Sequence, residues 1–397
     1  MKYITKRMKI HFLLAVSAMM FILSACNKDV EQFAVPVTVT PATPALGETI
    51  ATIADDSLYY RMIVRSGLLT TINTKSNIFT MFVPNNAAMR QFVAAASGGA
   101  IPVGTPDAIV SGFIAGTLPA TTAAQIVSYN MMPQSITTAS IPNTFPNFFY
   151  PTNLNPTTGT PGFNPLVRLL TFPSTRNGNW VNNIPLTAVN ATAANGIIHT
   201  AAAMPAPPSK VLYQRIATDA DMTIFNAAVS RADSGVAPTT SASLIWAFSN
   251  FGPNFTVFVP TNLAMKQLIS ALTLGAIPVG APDATFIGFL GSNSVNTQTV
   301  KGIVVYHILG SRAFTNNFPT TATSYPTLLN SAVPAHPGVS LTCSFTGPFV
   351  TAATVKGVAN ATASNILINP TPEPNGTSDQ FFVNGTIHKI DQVLRPQ

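Results

Sequence analysis

The chain contains two copies of one long sequence pattern, and this duplication most constrains how it can fold. Residues 100–116 recur with few changes at residues 276–292, an offset of 176 residues. The same offset relates residues 79–86 to residues 255–262, and both blocks read Phe-Thr-x-Phe-Val-Pro-x-Asn. Because solenoid repeats have periods of only about 20–50 residues, the sequence predicts two whole domains in tandem.

A third block and a proline-rich segment mark where the copies end. The block Asn-Gly-x-Ile-His occurs at residues 195–199 and again at residues 384–388. Three prolines follow the first of these within residues 205–209, a composition typical of a semi-rigid linker. The expected organisation is a tether, a first domain, the linker and a second domain, at residues 26–45, 46–204, 205–209 and 210–397. We expect limited proteolysis to cut the linker or the tether first.

The first repeated block of each copy is a strand signal that leads into a helix. Residues 79–84 and 255–260 are rich in Phe and Val and end at a proline, which predicts a buried strand. The next residues are Asn85 and Thr261, and both residue types favour the N-cap of a helix. We therefore expect a helix directly after each strand.

The rest of each copy divides into a helical part and a β-rich part. Asp107 and Asp283 each follow a proline, and this pair favours the first turn of a helix through the fixed proline φ and the helix dipole. After Pro142 and Pro319 come long Thr/Asn/Pro/Phe-rich stretches without a helical period, which predict strands and loops. The sequence thus predicts an α+β fold, with a helical half packed against a β-rich half in each domain.

The N-terminus predicts export and lipidation. Four basic residues precede an apolar run over residues 12–23, and the run ends in Leu-Ser-Ala-Cys at Cys26. This order is typical of a secretory signal, and the run is shorter than the roughly 20 residues that span a bilayer. Leu-Ser-Ala-Cys resembles the lipobox of bacterial lipoproteins. The resemblance implies a signal peptide over residues 1–25, lipidation of Cys26, and location at the outer membrane or cell surface. Residues 28–31 fit a surface-export signal and an ordinary charged cluster equally well.

Composition excludes several classes of function. Without the signal segment, 16 basic residues face 13 acidic ones, and no basic stretch with interleaved aromatics remains. We therefore expect no nucleic-acid partner. Only 8% of residues are charged, against about 25% in typical domains, so Thr, Asn, Ser and Gln must supply the polar surface. Cys343 is the single cysteine left after Cys26, and we interpret it as a small apolar core residue.

The sequence does not indicate catalysis, a metal site or a cofactor. It lacks His-x-x-x-His, Cys/His metal spacing and the Gly-x-Ser-x-Gly elbow. The acidic pairs Asp55-Asp56 and Asp219/Asp221 precede apolar helical runs, and we interpret them as helix N-caps rather than as Ca²⁺ ligands or catalytic acids. Aromatic residues cluster at residues 145–150, and we expect them to fill a core rather than to stack on sugars. We therefore expect a protein that is not an enzyme.

Together the three blocks resemble the fasciclin domain. The resemblance rests on Thr-x-Phe-x-Pro-x-Asn in both copies and on Tyr306-His307. It rests also on the closing motifs, Asn-Gly-x-Ile-His at residues 384–388 and Ile-Asp-x-Val-Leu at residues 390–394. It covers roughly residues 46–397. The first copy departs from the pattern, because Asn130 replaces the histidine and residues 200–204 lack the closing motif. The resemblance implies a β-rich, sandwich-like core wrapped by helices in each domain.

The same resemblance implies adhesion or matrix binding, with Tyr306 and His307 as candidate contact residues. His307 is either such a contact or a buried imidazole that bonds to the backbone, and its apolar neighbours favour the second interpretation. His199 and His388 follow Asn-Gly, which we interpret as a shared turn with a positive glycine φ.

The expected function is that of a membrane-anchored adhesion or ligand-binding lipoprotein outside the cytoplasm. Its expected partners are the membrane, through the lipid anchor, and an extracellular protein or polysaccharide. The alternative is a glycan-capture lipoprotein that works with an outer-membrane uptake system.

Overall fold

The computed structural model describes residues 44–157 and 164–397, and the stretch from Pro44 to Gln397 forms one compact unit. Cys26, the signal segment and all but the last two residues of the expected tether lie outside the described residues.

The first repeat has a helical half followed by a β-rich half. Its helices are α1 (Leu46–Thr52), α2 (Ser57–Ser66), α3 (Leu69–Asn73), α4 (Asn86–Ala96), α5 (Asp107–Gly116) and α6 (Ala120–Tyr129). Its strands are β1 (Phe79–Pro84), β2 (Met131–Met132), β3 (Tyr150–Pro151), β4 (Leu170–Thr171), β5 (Pro173–Ser174), β6 (Trp180–Val181), β7 (Ile184–Ala193) and β8 (Gly196–Ala201).

The second repeat follows the same order. Its helices are α7 (Leu212–Thr218), α8 (Thr223–Ala232), α9 (Leu244–Ser249), α10 (Asn262–Leu272), α11 (Asp283–Gly291) and α12 (Thr297–Tyr306). Its strands are β9 (Phe255–Pro260), β10 (Ile308–Leu309), β11 (Thr323–Tyr325), β12 (Val339–Thr346), β13 (Phe349–Lys356), β14 (Ser364–Asn365), β15 (Gln380–Phe382) and β16 (Gly385–Ile390). The predicted α+β class is confirmed.

In each repeat the strand of the first block pairs in parallel with the strand of the last block. Strand β1 pairs with β8 from Phe79↔Gly196 to Pro84↔Ala201, and β9 pairs with β16 in the same register. The sheet orders are β2-β1-β8-β7-β6-β5 in the first repeat, and β10-β9-β16-β15 and β11-β12-β13-β14 in the second. Since parallel strands need a long crossover, residues 85–195 of the first repeat and residues 261–384 of the second serve as the connections between the paired strands.

The glycine of the last block permits this close pairing. A Cβ on Gly196 would lie 1.8 Å from the carbonyl oxygen of Phe79, and one on Gly385 would lie 2.7 Å from that of Phe255. The φ of Gly196 is positive (157°), but Gly385 is not among the positive-φ glycines. The prediction of a positive φ is therefore wrong for Gly385. The two glycines share a close approach to the backbone of the paired strand, and this approach leaves no room for a Cβ.

The asparagine of the last block ties the sheet to the first helix. Asn195 Oδ1 accepts from the Leu46 N–H at the start of α1, and its Nδ2 donates to the Ile72 and Asn77 carbonyls. In the second repeat Asn384 bonds the Leu212 N–H and the Phe248 carbonyl in the same way. One buried amide thus supplies a helix cap and holds a loop.

The structure confirms the two helices that were predicted to begin directly after β1 and β9. Asn85 Oδ1 accepts from the Ala88 N–H, and Thr261 Oγ1 accepts from the Ala264 N–H, as N-caps of α4 and α10. Helices α5 and α11 begin at Asp107 and Asp283, directly after the prolines.

The expected aspartate caps are wrong. Neither α2 nor α8 receives a cap hydrogen bond from its own N-cap side chain. Instead Asn86 Oδ1 accepts from the Leu58 N–H, and Asn262 Oδ1 accepts from the Ile224 N–H. The cap therefore comes from the asparagine that ends the first block, which is distant in sequence and adjacent in space. Asp219 and Asp221 instead pair with Lys389.

The repeats also meet through a buried interface of amides and aromatic rings. Asn147 donates its N–H to the Arg312 carbonyl and accepts the Phe314 N–H at Oδ1. The Arg312 guanidinium lies 4.5 Å from the Phe172 ring centroid and 4.9 Å from that of Phe381. Arg312 is 1% exposed and forms no salt bridge within the described residues, and burial lowers its pKa to about 9. The linker is therefore not the only connection between the repeats.

Asp56 is a buried carboxyl with weak hydrogen bonding, and this makes stability depend on pH. It is fully buried, and Oδ2 accepts only from Thr200 Oγ1 at 3.4 Å. Burial, with the nearby charge of Asp55, raises its pKa from 3.8 to about 7. The folded chain thus holds this proton more tightly than the unfolded chain. The contribution of this protonated carboxyl to the free energy of unfolding is fully present below pH 4 and is lost as the pH rises towards 7.

We expect Asp56→Asn to raise the melting temperature at pH 8 more than at pH 4.5, because the variant never has to bury a charge. The expected gain at pH 8 is on the order of 1–3 kcal/mol. Thermal melts at the two pH values measure it. Asp55→Asn is the control, and its effect should be smaller because Asp55 is exposed and acts only through its charge. An equal shift for Asp56→Asn at both pH values would contradict the assignment.

Candidate functional site

Tyr306 and His307 lie at the end of α12, and both are 0% exposed. The Tyr306 hydroxyl donates to the Gly338 carbonyl at 2.7 Å and accepts from the Val358 N–H at 3.0 Å. This side chain therefore fastens the helical half to the β-rich half. A direct contact of either residue with a partner would require this part of the repeat to open.

The His307 ring has both nitrogens occupied by the backbone. Nδ1 lies 2.8 Å from the Ile303 carbonyl oxygen, so it must donate, and Nε2 accepts from the Leu394 N–H at 2.9 Å. Burial lowers the pKa of this imidazole to about 4, which keeps it neutral. Of the two interpretations of His307, the structure shows the buried, hydrogen-bonded one.

The first repeat replaces this arrangement by a matched set of changes. The residue equivalent to Leu394, counted from the shared histidine of the last block, is Pro205, which has no N–H to donate. The first repeat therefore has no backbone N–H at this place for the side chain of residue 130 to accept. Instead, Asn130 Nδ2 donates to the Tyr59 hydroxyl at 3.2 Å. The residue equivalent to Tyr59 is Phe225, whose ring lies 6.1 Å from that of His307. The departure of the first copy from Tyr-His thus has a structural cause.

The histidines of the last block are also structural. His199 Nε2 lies 3.0 Å from the Ile136 carbonyl, and His388 Nε2 lies 3.0 Å from the Ala313 carbonyl. Each ring stacks on the phenylalanine of the paired strand, with centroid distances of 5.6 Å to Phe82 and 5.8 Å to Phe258. Burial lowers the pKa of both imidazoles. They link the motif strands to the β-rich half.

The aromatic cluster at residues 145–150 is only partly a core. Phe145 packs against Phe318 and Tyr325 of the second repeat, with centroid distances of 5.9 and 4.1 Å. Phe148 and Phe149 stack on each other at 5.7 Å, and each is 48% exposed. The expectation of burial is therefore right for Phe145 and wrong for Phe148 and Phe149.

A large cleft lies where the two repeats and the linker meet; we call it the seam cleft. It has a volume of about 740 Å³, within the range of about 300–1,000 Å³ common for ligand sites. Its lining includes Thr121, Gln125, Ser128, Asn153, Asn155 and Arg168 of the first repeat, Pro207, Pro208 and Ser209 of the linker, and Phe251 and Val383 of the second repeat. The linker also borders a second cleft of about 470 Å³ that includes Phe349 and Phe381.

Several polar groups of the seam cleft are available to a ligand, although the Asn155 side chain bonds to Asn164 and Thr157. The Gln125 and Asn153 side chains form no hydrogen bond within the part of the chain that the structure describes. Arg168 donates only to the backbone carbonyls of Pro165 and Val167, so its charge has no carboxylate partner there. Phe251 is 61% exposed and offers a ring face. Sequence reasoning missed this site, because its residues are far apart in sequence and share no motif.

Cys343 is a buried thiol, and the acidic residues that the structure describes form no metal-binding cluster. Cys343 is 3% exposed and donates to the Phe318 carbonyl, and burial raises its pKa to about 12, which confirms it as a core residue. Over residues 44–157 and 164–397 no cluster of three or more His, Cys, Asp or Glu side chains could hold a metal ion.

No single helix in these ranges is long and apolar enough to cross a membrane, although α5 and α6 pass that test as a pair bent by 105°.

Both repeats match the family described as the fasciclin domain, over residues 55–204 and 221–396. Because the matches span most of the chain, the protein belongs to the fasciclin-domain family as a tandem pair. Fasciclin domains are associated with cell adhesion. A solved FAS1 domain pair from the insect cell adhesion molecule fasciclin I is similar at 14% identity, over 85% of this chain and 95% of that chain, with a TM-score of 0.33. None of the curated proteins matches.

We expect His307→Ala to destabilise the protein by about 1–3 kcal/mol for the unpaired groups alone, with a further cost for the cavity. His307→Asn should also destabilise, because the shorter side chain leaves the Leu394 N–H unpaired and finds Phe225 where the first repeat has Tyr59. The double variant His307→Asn with Phe225→Tyr should recover part of the loss. Thermal melts of the four proteins measure this. Equal stability of His307→Ala and the parent would overturn the structural role.

Proposed function

We propose that the chain is a lipid-anchored, extracytoplasmic adhesion protein of the outer membrane or cell surface, and that it binds an extracellular polymer in the seam cleft. Family membership supports adhesion, and the lipobox at Cys26 supports the anchor. The observation that carries the binding proposal is the cleft itself, where two repeats and a proline-rich linker combine unpaired amides with an exposed ring and a cation.

The chemistry of this cleft favours a polysaccharide over an apolar partner. Sugar hydroxyls exchange hydrogen bonds with planar amides such as those of Gln125 and Asn153. The C–H face of a sugar ring packs on an aromatic face such as that of Phe251. Arg168 adds a fixed, planar donor set that suits a carboxylate or sulfate on the polymer.

The cleft chemistry also favours the second candidate function, glycan capture for an outer-membrane uptake system. The two functions differ in the length of ligand that is bound. A capture protein should hold short oligosaccharides that fill the cleft, whereas an adhesion protein gains affinity from long or multivalent polymers. Competition of polymer binding by defined oligosaccharides of increasing length distinguishes them.

We expect Phe251→Ala and Arg168→Gln to weaken polymer binding by about ten-fold each, which is 1.4 kcal/mol. The measurement is binding of the full chain to an array of polysaccharides and matrix proteins, followed by titration of the best ligand. Phe149→Ala is the matched control, because Phe149 is also an exposed aromatic but does not line the cleft. Equal losses in all three variants, or none, would contradict a site in the cleft.

We expect Cys26→Ala to move the protein out of the membrane fraction. The thioether-forming sulfur is absent in this variant, and without acyl chains the burial of about 0.8 kcal/mol per CH₂ is lost. Metabolic labelling with an alkyne fatty acid should mark the parent and leave the variant unlabelled. Labelling of the variant at the parent level would show that the anchor is elsewhere.

A further inference from the structure

A narrow apolar crevice enters the helical half of the second repeat between α8, α10, α11 and α12. Its volume is about 90 Å³, and none of its lining residues is charged. The lining includes Phe225, Ala228, Ile269, Phe289, Val300 and Ile303. His307 also borders it, but both ring nitrogens already bond to the backbone. Thr299 is the only other lining residue with a polar side chain, and it is exposed. The interior of the crevice therefore calls for no polar atom on a ligand, and an apolar cavity of this kind stays dry.

The crevice has a local cause that the first repeat reveals. Leu58 and Ile224 receive equivalent caps from Asn86 and Asn262, so Met62 on α2 corresponds to Ala228 on α8. Met62 is completely buried in the core of the first repeat. At the same place in the second repeat, Ala228 leaves the space of a long side chain empty.

An exposed apolar side chain, that of Leu272, marks the mouth of the crevice, and a second exposed leucine stands two residues further along the chain. Leu272 lines the crevice and is 67% exposed, and Leu274 follows it at 96% exposure. At the offset of 176 the first repeat has Ala96 and Gly98 in these places. Leu274 has a φ of +52°, a left-handed conformation that is unfavourable for a residue with a Cβ. Gly98 adopts the same conformation at a φ of +62° without that cost.

We propose that this crevice binds the end of a linear alkyl chain, with Leu272 and Leu274 covering the methylene groups that follow. The ligand class is a single-chain amphiphile such as a fatty acid, whose polar head stays in solvent. Size decides against an aromatic ring, since an apolar cavity of roughly 150 Å³ holds benzene and the crevice is smaller. A chain end enters in single file, and its burial needs no hydrogen bond. This site depends on neither the seam cleft nor the lipid anchor.

The test uses the full chain carrying Cys26→Ala and purified without detergent, because detergent would compete for the site. A dansyl-labelled undecanoic acid is titrated into the protein and then displaced with decanoic acid. Ala228→Met, which restores the first repeat's side chain, should weaken binding at least ten-fold without lowering the melting temperature. Leu274→Gly should weaken it by a smaller factor. Val103→Ala in the first repeat is the control and should bind like the parent.

Methyl NMR locates the bound chain independently of these variants. Decanoic acid should shift the methyl signals of Ile269 and Ile303, and leave those of Ile63 and Ile126 in the first repeat unchanged. If Ala228→Met does not fold, Leu272→Ala replaces it, because that substitution alters only the mouth. Undiminished probe binding by the folded variants, shifts confined to the first repeat, or absence of binding by the parent would each overturn the proposal.

Discussion

The parallel pairing of the first and last motif strands is the constraint on which each repeat depends. It brings together residues more than a hundred positions apart, β1 with β8 and β9 with β16, at a distance that only a glycine tolerates at the entry of the last strand. The neighbouring asparagine then caps the first helix, and the histidine bonds the loop that opens the β-rich half. The Asn-Gly-x-Ile-His motif therefore holds the fold of each repeat together, because its asparagine and histidine bond to backbone groups that the strand pairing buries.

The two repeats keep this framework and differ in how they complete it. His307 accepts the Leu394 N–H, whereas Pro205 removes that donor in the first repeat and Asn130 turns to Tyr59. These differences are correlated, since a buried donor without an acceptor is costly while the loss of both partners is nearly neutral. The functional proposals rest on features outside the shared framework. One is the cleft at the junction, and the other is the space that Ala228 leaves beside α10.

The small number of charged residues in the chain is reflected in the groups that form the interface between the repeats. With few ionisable residues available, the contact uses asparagine amides and stacked rings, and Arg312 is held by two aromatic faces instead of a carboxylate. A guanidinium suits this role because it is planar and weakly hydrated. Amides bond in a fixed geometry, so this interface sets the relation of the repeats and thereby the walls of the seam cleft.

The sequence by itself determined the duplication, the α+β class, the first strand of each repeat and the helix starts at Asn85, Thr261, Asp107 and Asp283, because these depend on local propensity and spacing. It did not reveal that Asn86 and Asn262 cap helices in place of the aspartates, or that Phe148 and Phe149 are exposed, because those outcomes depend on which distant groups become neighbours. The seam cleft and the alkyl crevice were likewise decided only by tertiary structure. Each consists of side chains from several elements, and a cavity arises from the volume that those side chains fail to fill.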